Sequence, residues 1–135
     1  MPTDAKDPQH WFDFASQDLI RAHRRFIEAD YGDCVFHLQQ SAEKTLKGKL
    51  IASGWKLQRT HDLSALIVAL KGLSTDCSWF EEVAAVLATE YIADRYPGFD
   101  EAPPNPAELR TFLAEATKLF EDLSARKYNG PQLAD

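Results

Sequence analysis

Val35-Phe36-His37-Leu38-Gln39-Gln40-Ser41-Ala42-Glu43-Lys44-Thr45-Leu46-Lys47-Gly48-Lys49-Leu50 carries Val35, Leu38, Ala42, Leu46 and Leu50 at three- and four-residue steps. At about 100° per residue these side chains share one face of a helix. The helix is expected to end near Ser53-Gly54, where glycine can take the left-handed backbone that closes helices. His37, Gln40, Lys44 and Lys47 fall in a band on the opposite side, with Gln39 and Glu43 at its margins.

The same periodicity extends in both directions. Upstream, Phe12, Ala15, Leu19, Ala22 and Phe26 form a seam, and Asp7-Pro8 supplies a cap followed by a first-turn proline. Tyr31-Gly32-Asp33 reads as the break between the two helices. Downstream, a polar connector from Trp55 to about Thr60 precedes a short helix with Leu63, Leu66, Ile67 and Leu70. After a turn over Gly72 to Asp76, a fourth helix carries Phe80, Val83, Ala84, Leu87 and Tyr91. A Pro- and Gly-containing loop spans about Asp94 to Pro104. Asn105-Pro106 then opens a last helix with Leu109, Phe112, Ala116, Leu119 and Leu123, and Asn129 to Asp135 reads as frayed. The expectation is an all-α antiparallel bundle of about five helices, three long and two short. It forms a single domain over 1–135 with its core at about 11–125.

The 135 residues carry 15 Lys+Arg against 21 Asp+Glu, a formal charge of -6, which excludes a general nucleic-acid coat. The charge is uneven. Residues 21–59 hold 8 basic and 4 acidic side chains, whereas 61–135 hold 6 and 13. Met1 to His10 is polar, without the apolar run of a leader, and no window has the length of a membrane span. A cytoplasmic protein with Cys34 and Cys77 reduced is expected. The 15 aromatics exceed what a small bundle core must have, which places some of them in a partner interface.

Several chemistries lack their residues. No Glu is followed three positions later by His, as a di-metal bundle site requires. The cysteines are too far apart for a zinc knuckle, and no phosphate loop, dinucleotide fingerprint or serine elbow occurs. No metal site is expected. Three segments carry candidate chemistry. The band of His37, Gln40, Lys44 and Lys47 has the cations and polar groups to hold a phosphate and a base edge, or it is an ordinary solvated face. Arg59-Thr60-His61-Asp62 stands at a helix start, where Asp62 is a cap and His61 is positioned beside it. Arg95-Tyr96-Pro97 offers a cation and a stacking ring at a rigid turn, or a simple helix stop.

Tyr31-Gly32-Asp33 with Phe36-His37-Leu38-Gln39-Gln40-Ser41-Ala42-Glu43-Lys44-Thr45-Leu46-Lys47 resembles the signature helix of HEPN domains (higher eukaryotes and prokaryotes nucleotide-binding). Thr60-His61-Asp62-Leu63 resembles the family's next block, and Glu90-Tyr91 to Arg95-Tyr96-Pro97 its third. The likeness runs from about Trp11 to Ala125. It implies a helical bundle that usually forms a homodimer and works with a small nucleotidyltransferase, commonly in a toxin–antitoxin pair. Some relatives are metal-independent RNases, and others bind nucleotides or substrates. The RNase branch carries Arg, four to six residues, then His, and no arginine of this chain stands in that relation to a histidine. The resulting expectation is a nucleotide- or RNA-binding component without a resident cofactor, taking a nucleotide such as ATP or GTP. His37, Gln40, Lys44, Lys47, His61, Asp62, Arg95 and Tyr96 line its cleft. A variant RNase using His61 and Arg95, and a non-catalytic interaction module, are the alternatives.

Overall fold

The computed structural model describes residues 5–95 and 104–133, and the side chains of these except 90–95. Five helices follow one another: α1 Pro8–Ile27, α2 Tyr31–Ala52, α3 Leu63–Gly72, α4 Glu81–Arg95 and α5 Pro106–Ser124. A short 3-10 turn, Ser78–Phe80, leads into α4. No strand occurs among the described residues.

The helix starts follow the capping chemistry of the sequence. Asp7 accepts from the Gln9 amide, Asp62 from Ala65 and Asn105 from Glu108, each satisfying an amide that the helix itself leaves unpaired. The α1–α2 break lies earlier than Tyr31-Gly32-Asp33. The chain turns at Ala29, with φ 61°, and Asp30 caps α2 by accepting from the Asp33 amide. Tyr31-Gly32-Asp33 is therefore the first turn of α2, because Asp30 supplies the cap and a first-turn glycine is tolerated. Gly54, with φ 91°, follows α2 as its sequence requires.

All the seam residues of α1 and α2 are buried, as are those of α3. So are Phe80, Val83, Ala84 and Leu87 of the fourth helical segment, whereas the side chain of Tyr91 lies outside the described residues. In α5, Leu109, Phe112, Ala116 and Leu119 are buried with Leu113 and Phe120, and Leu123 is half-buried. The position of α2 governs the rest. It packs against α1, α3, α4 and α5, so it is the central helix of the bundle. Its far side is therefore no fully open face: Lys47 is buried, as are Gln39 and Glu43 at the margins, and His37, Gln40 and Lys44 are half-buried. α1 lies close against α2 at Gly48, where an added Cβ would lie 2.7 Å from the Phe12 ring. Ser41 donates to the Ala15 carbonyl across the same contact at 2.9 Å.

Of the segment read as frayed, Asn129 to Asp135, Leu133 packs against the core and Pro131 is bonded by Tyr128, whereas 134–135 lie outside the described residues. Tyr128 is buried, its ring stacks on His23 at 4.6 Å, and its hydroxyl donates to the Pro131 carbonyl. Arg126 reaches back to Asp13 and to Gln9 of α1. Cys34 and Cys77 are free and buried, and burial raises their thiols to about 12 and about 11. Among the described aromatics Phe14 and Trp79 are exposed, and Trp11, Tyr31, Phe36 and Trp55 are half-buried.

Candidate functional site

The polar band of α2 resolves into two separate networks, each built around a carboxylate. The first centres on Asp18, which α1 buries one step from its apolar seam. Lys44 donates to Asp18 Oδ2 at 2.5 Å, and His37 Nδ1 lies 2.9 Å from Asp18 Oδ1. His37 Nε2 faces Asp33 at 3.4 Å, and Asp33 in turn accepts from Arg25 at 2.7 Å. Basic and acidic side chains therefore alternate along the groove between α1 and α2. Arg25 belongs to this chain of pairs, and His23 of the same helix is buried in the interior.

The second network centres on Glu43. Its Oε2 accepts from Lys47 at 3.0 Å, and its Oε1 lies 2.8 Å from His61 Nδ1. Gln39 donates to the same Oε1 at 3.3 Å, and Gln40 donates to the Gln39 carbonyl oxygen at 2.7 Å. Glu43 and Lys47 are almost fully enclosed, whereas 66% of the His61 side chain is exposed. An ion-paired carboxylate accepts hydrogen bonds and cannot donate them. His61 must therefore give its Nδ1–H to Glu43, which turns Nε2 outward. The Trp11 ring lies 5.8 Å from the Lys47 ammonium and closes the network on the α1 side.

This arrangement changes how the band works. Neither Lys44 nor Lys47 is a free surface cation, because each already holds a buried carboxylate. A phosphate would have to break those pairs, and that leaves a buried charge uncompensated. Asp62 is occupied as the cap of α3. His37 and His61 serve different carboxylates. The Arg95 side chain and all of Tyr96 lie outside the described residues. Among the described residues no group of three or more His, Cys, Asp or Glu is placed for a metal ion.

Asp18 and Glu43 are the residues that helical periodicity overlooks. Asp18 stands three positions after Ala15 and next to Leu19, so it falls within the apolar sector of α1, where a carboxylate requires a partner. Glu43 precedes Lys47 by four positions, the favourable order for an ion pair along a helix. Among the described residues, cavities are found away from both networks. One of about 520 Å³ lies at the end of α2 around Ile51, Trp55 and Leu57, and one of about 330 Å³ lies between His23, Thr117 and Gln132. Neither includes a residue of the two networks.

Comparison with known proteins adds a family to this geometry. The HEPN domain profile matches residues 8–126, nearly the whole helical chain. The chain belongs to the HEPN domain family. This HEPN domain also superimposes on the crystal structure of TT1696 from Thermus thermophilus with a TM-score of 0.75. The two are 28% identical, over 87% of this chain and 96% of that one. No curated protein sequence matches the chain. The match supports a nucleotide-binding or RNase-type domain. No helix among the described residues is long and apolar enough to cross a membrane.

Proposed function

We propose that this HEPN domain is a nucleotide- or RNA-binding component that works, as a homodimer in the cytoplasm, with a small nucleotidyltransferase in a toxin–antitoxin type system. The observation that carries the binding role is the Glu43–His61 pair. A buried carboxylate and a buried lysine are costly to desolvate. Here they hold one exposed imidazole in a fixed orientation, and a supporting shell of that kind is characteristic of functional sites. The proposed site includes His61 and Gln40, and with them Arg95 and Tyr96, whose cation and ring are the chemistry that phosphate and base require. His37, Lys44, Lys47 and Asp62 form its supporting wall, and they reach a ligand only by exchanging their present partners.

Calorimetric titration with ATP and with GTP tests the binding role. Saturable binding that weakens in His61→Ala supports it, and no binding at millimolar nucleotide rejects it. Co-purification with a nucleotidyltransferase encoded beside this gene tests the partnership.

A second reading follows from the outward Nε2 of His61, which has the arrangement of a general base oriented by a carboxylate. In that reading the chain is a metal-independent RNase, with Arg95 stabilising the phosphate. Cleavage of RNA in the presence of a chelator, lost in both His61→Ala and Arg95→Ala, is the expected result. Equal cleavage by either variant rejects it.

A further inference from the structure

We infer that His61 and Gln40 present hydrogen-bond acceptors to the ligand, so that the site selects a donor on the nucleotide, a ribose hydroxyl or a base amine, and that Glu43 is the positioning residue that sets this polarity. The inference rests on the nucleotide-binding reading above and specifies the chemistry of that same site. It follows from the direction of the hydrogen bonds. Glu43, paired with Lys47, can only accept, so every donor around it points inward. A neutral His61 ring spends its Nδ1–H on Oε1 and so carries its lone pair on Nε2. Gln39 spends its amide N–H on the same oxygen, which turns its own carbonyl oxygen toward Gln40. Gln40 then spends an N–H on that oxygen, and its Oε1 has no hydrogen bond among the described residues. One buried carboxylate thus orders two acceptors at the edge of the network.

A site designed for phosphate would have the reverse polarity. Its donors would face outward and its cations would be unpaired. Here the two lysines nearest the edge are held by Asp18 and Glu43. The expected signature is selectivity for a donor rather than attraction to charge. A ligand lacking the donor leaves the His61 acceptor unpaired, which weakens binding about five- to tenfold.

Two measurements on the full chain decide the matter. Titrations at pH 8 compare ATP with 2′-deoxyadenosine triphosphate and with inosine triphosphate, which lack the sugar hydroxyl and the base amine respectively. A weaker fit for one of them, by about five- to tenfold and abolished in His61→Ala, supports the inference and identifies the donor. Equal affinities for all three overturn it. If none of the three binds, the nucleotide-binding reading itself fails, and the donor selectivity with it.

Long-range proton–nitrogen NMR of the histidine rings is independent of any ligand. His61 is expected as the Nδ1–H tautomer at pH 8, and an Nε2–H ring overturns the polarity argument. Glu43→Gln, whose amide can donate as well as accept, should mix the tautomers if it folds. The wild-type spectrum is decisive if that variant does not fold.

Discussion

Glu43 is the side chain that holds the second polar network together. Removing it leaves Lys47 charged, buried and alone, so Glu43→Ala should lose about 3–5 kcal/mol of stability. Replacing both members with apolar residues, Glu43→Leu with Lys47→Met, should recover most of that loss in urea unfolding. If the double variant is as unstable as the single one, the pair has a role other than mutual charge compensation. His23 offers a second test at the same scale. Burial lowers its imidazole from 6.5 to about 4, and its Nδ1 has no hydrogen-bond partner. The folded state therefore favours the neutral ring. That stabilisation is complete above the ordinary value of 6.5 and is lost as the pH falls toward 4. Between pH 7.5 and pH 5 the loss attributable to His23 is about 2 kcal/mol. Urea midpoints of His23→Phe, which keeps an aromatic ring against Tyr128, should fall less over that interval than those of the wild type. Parallel declines would show that His23 is not the titrating group.

Among the elements, α2 explains both what the sequence reveals and what it conceals. Helical periodicity locates α2 because Val35, Leu38, Ala42, Leu46 and Leu50 repeat at the right steps. It reports only the most apolar side of a helix, however, and treats the opposite side as solvent. A helix surrounded by four others also buries its polar side, and nothing in a single helix's spacing counts its neighbours. For that reason Lys44 and Lys47 read as surface cations, whereas the structure pairs them. A sign of this stands one helix away, in Asp18 within the seam of α1. The crossing of α1 and α2 gives a sharper expectation. At Gly48 an alanine would bring Cβ to 2.7 and 2.9 Å from the buried Phe12 ring. Overpacking of that kind costs about 1–3 kcal/mol, more than the roughly 1 kcal/mol alanine gains in helix propensity. Gly48→Ala should lower the melting temperature, whereas Gly72→Ala, with no atom within 4 Å of its Cβ, should not.

For the molecule as a whole, the overall charge and the closing segment matter most. Residues 21–59 keep most of their positive excess in the fold: Asp33 and Glu43, which pair with Arg25 and Lys47, belong to the same segment, and of these three pairing carboxylates only Asp18, on Lys44, comes from outside it. The segment after α5 is hard to read because its composition is polar. Its one large ring, Tyr128, is what the bundle buries. Tyr128→Ala should cost about 2–4 kcal/mol, since it removes a buried ring and exposes His23. Arg126→Ala should cost less than about 1 kcal/mol, because its ion pair with Asp13 is largely exposed. Thermal unfolding of the two variants separates ring burial from surface charge. A larger loss for the arginine variant would reverse that order.

The His61–Glu43 contact has a further consequence, for motion. The stretch between α2 and α3 has no regular structure over Trp55 to Asp62, and His61 fastens its far end to the bundle interior. Breaking this one mooring lets water reach the Glu43–Lys47 pair and loosens the first turn of α3 together with it. Backbone amides at the start of α3 should therefore exchange with solvent in step with the occupancy of the His61 site, so that a ligand held there is detectable as slowed exchange.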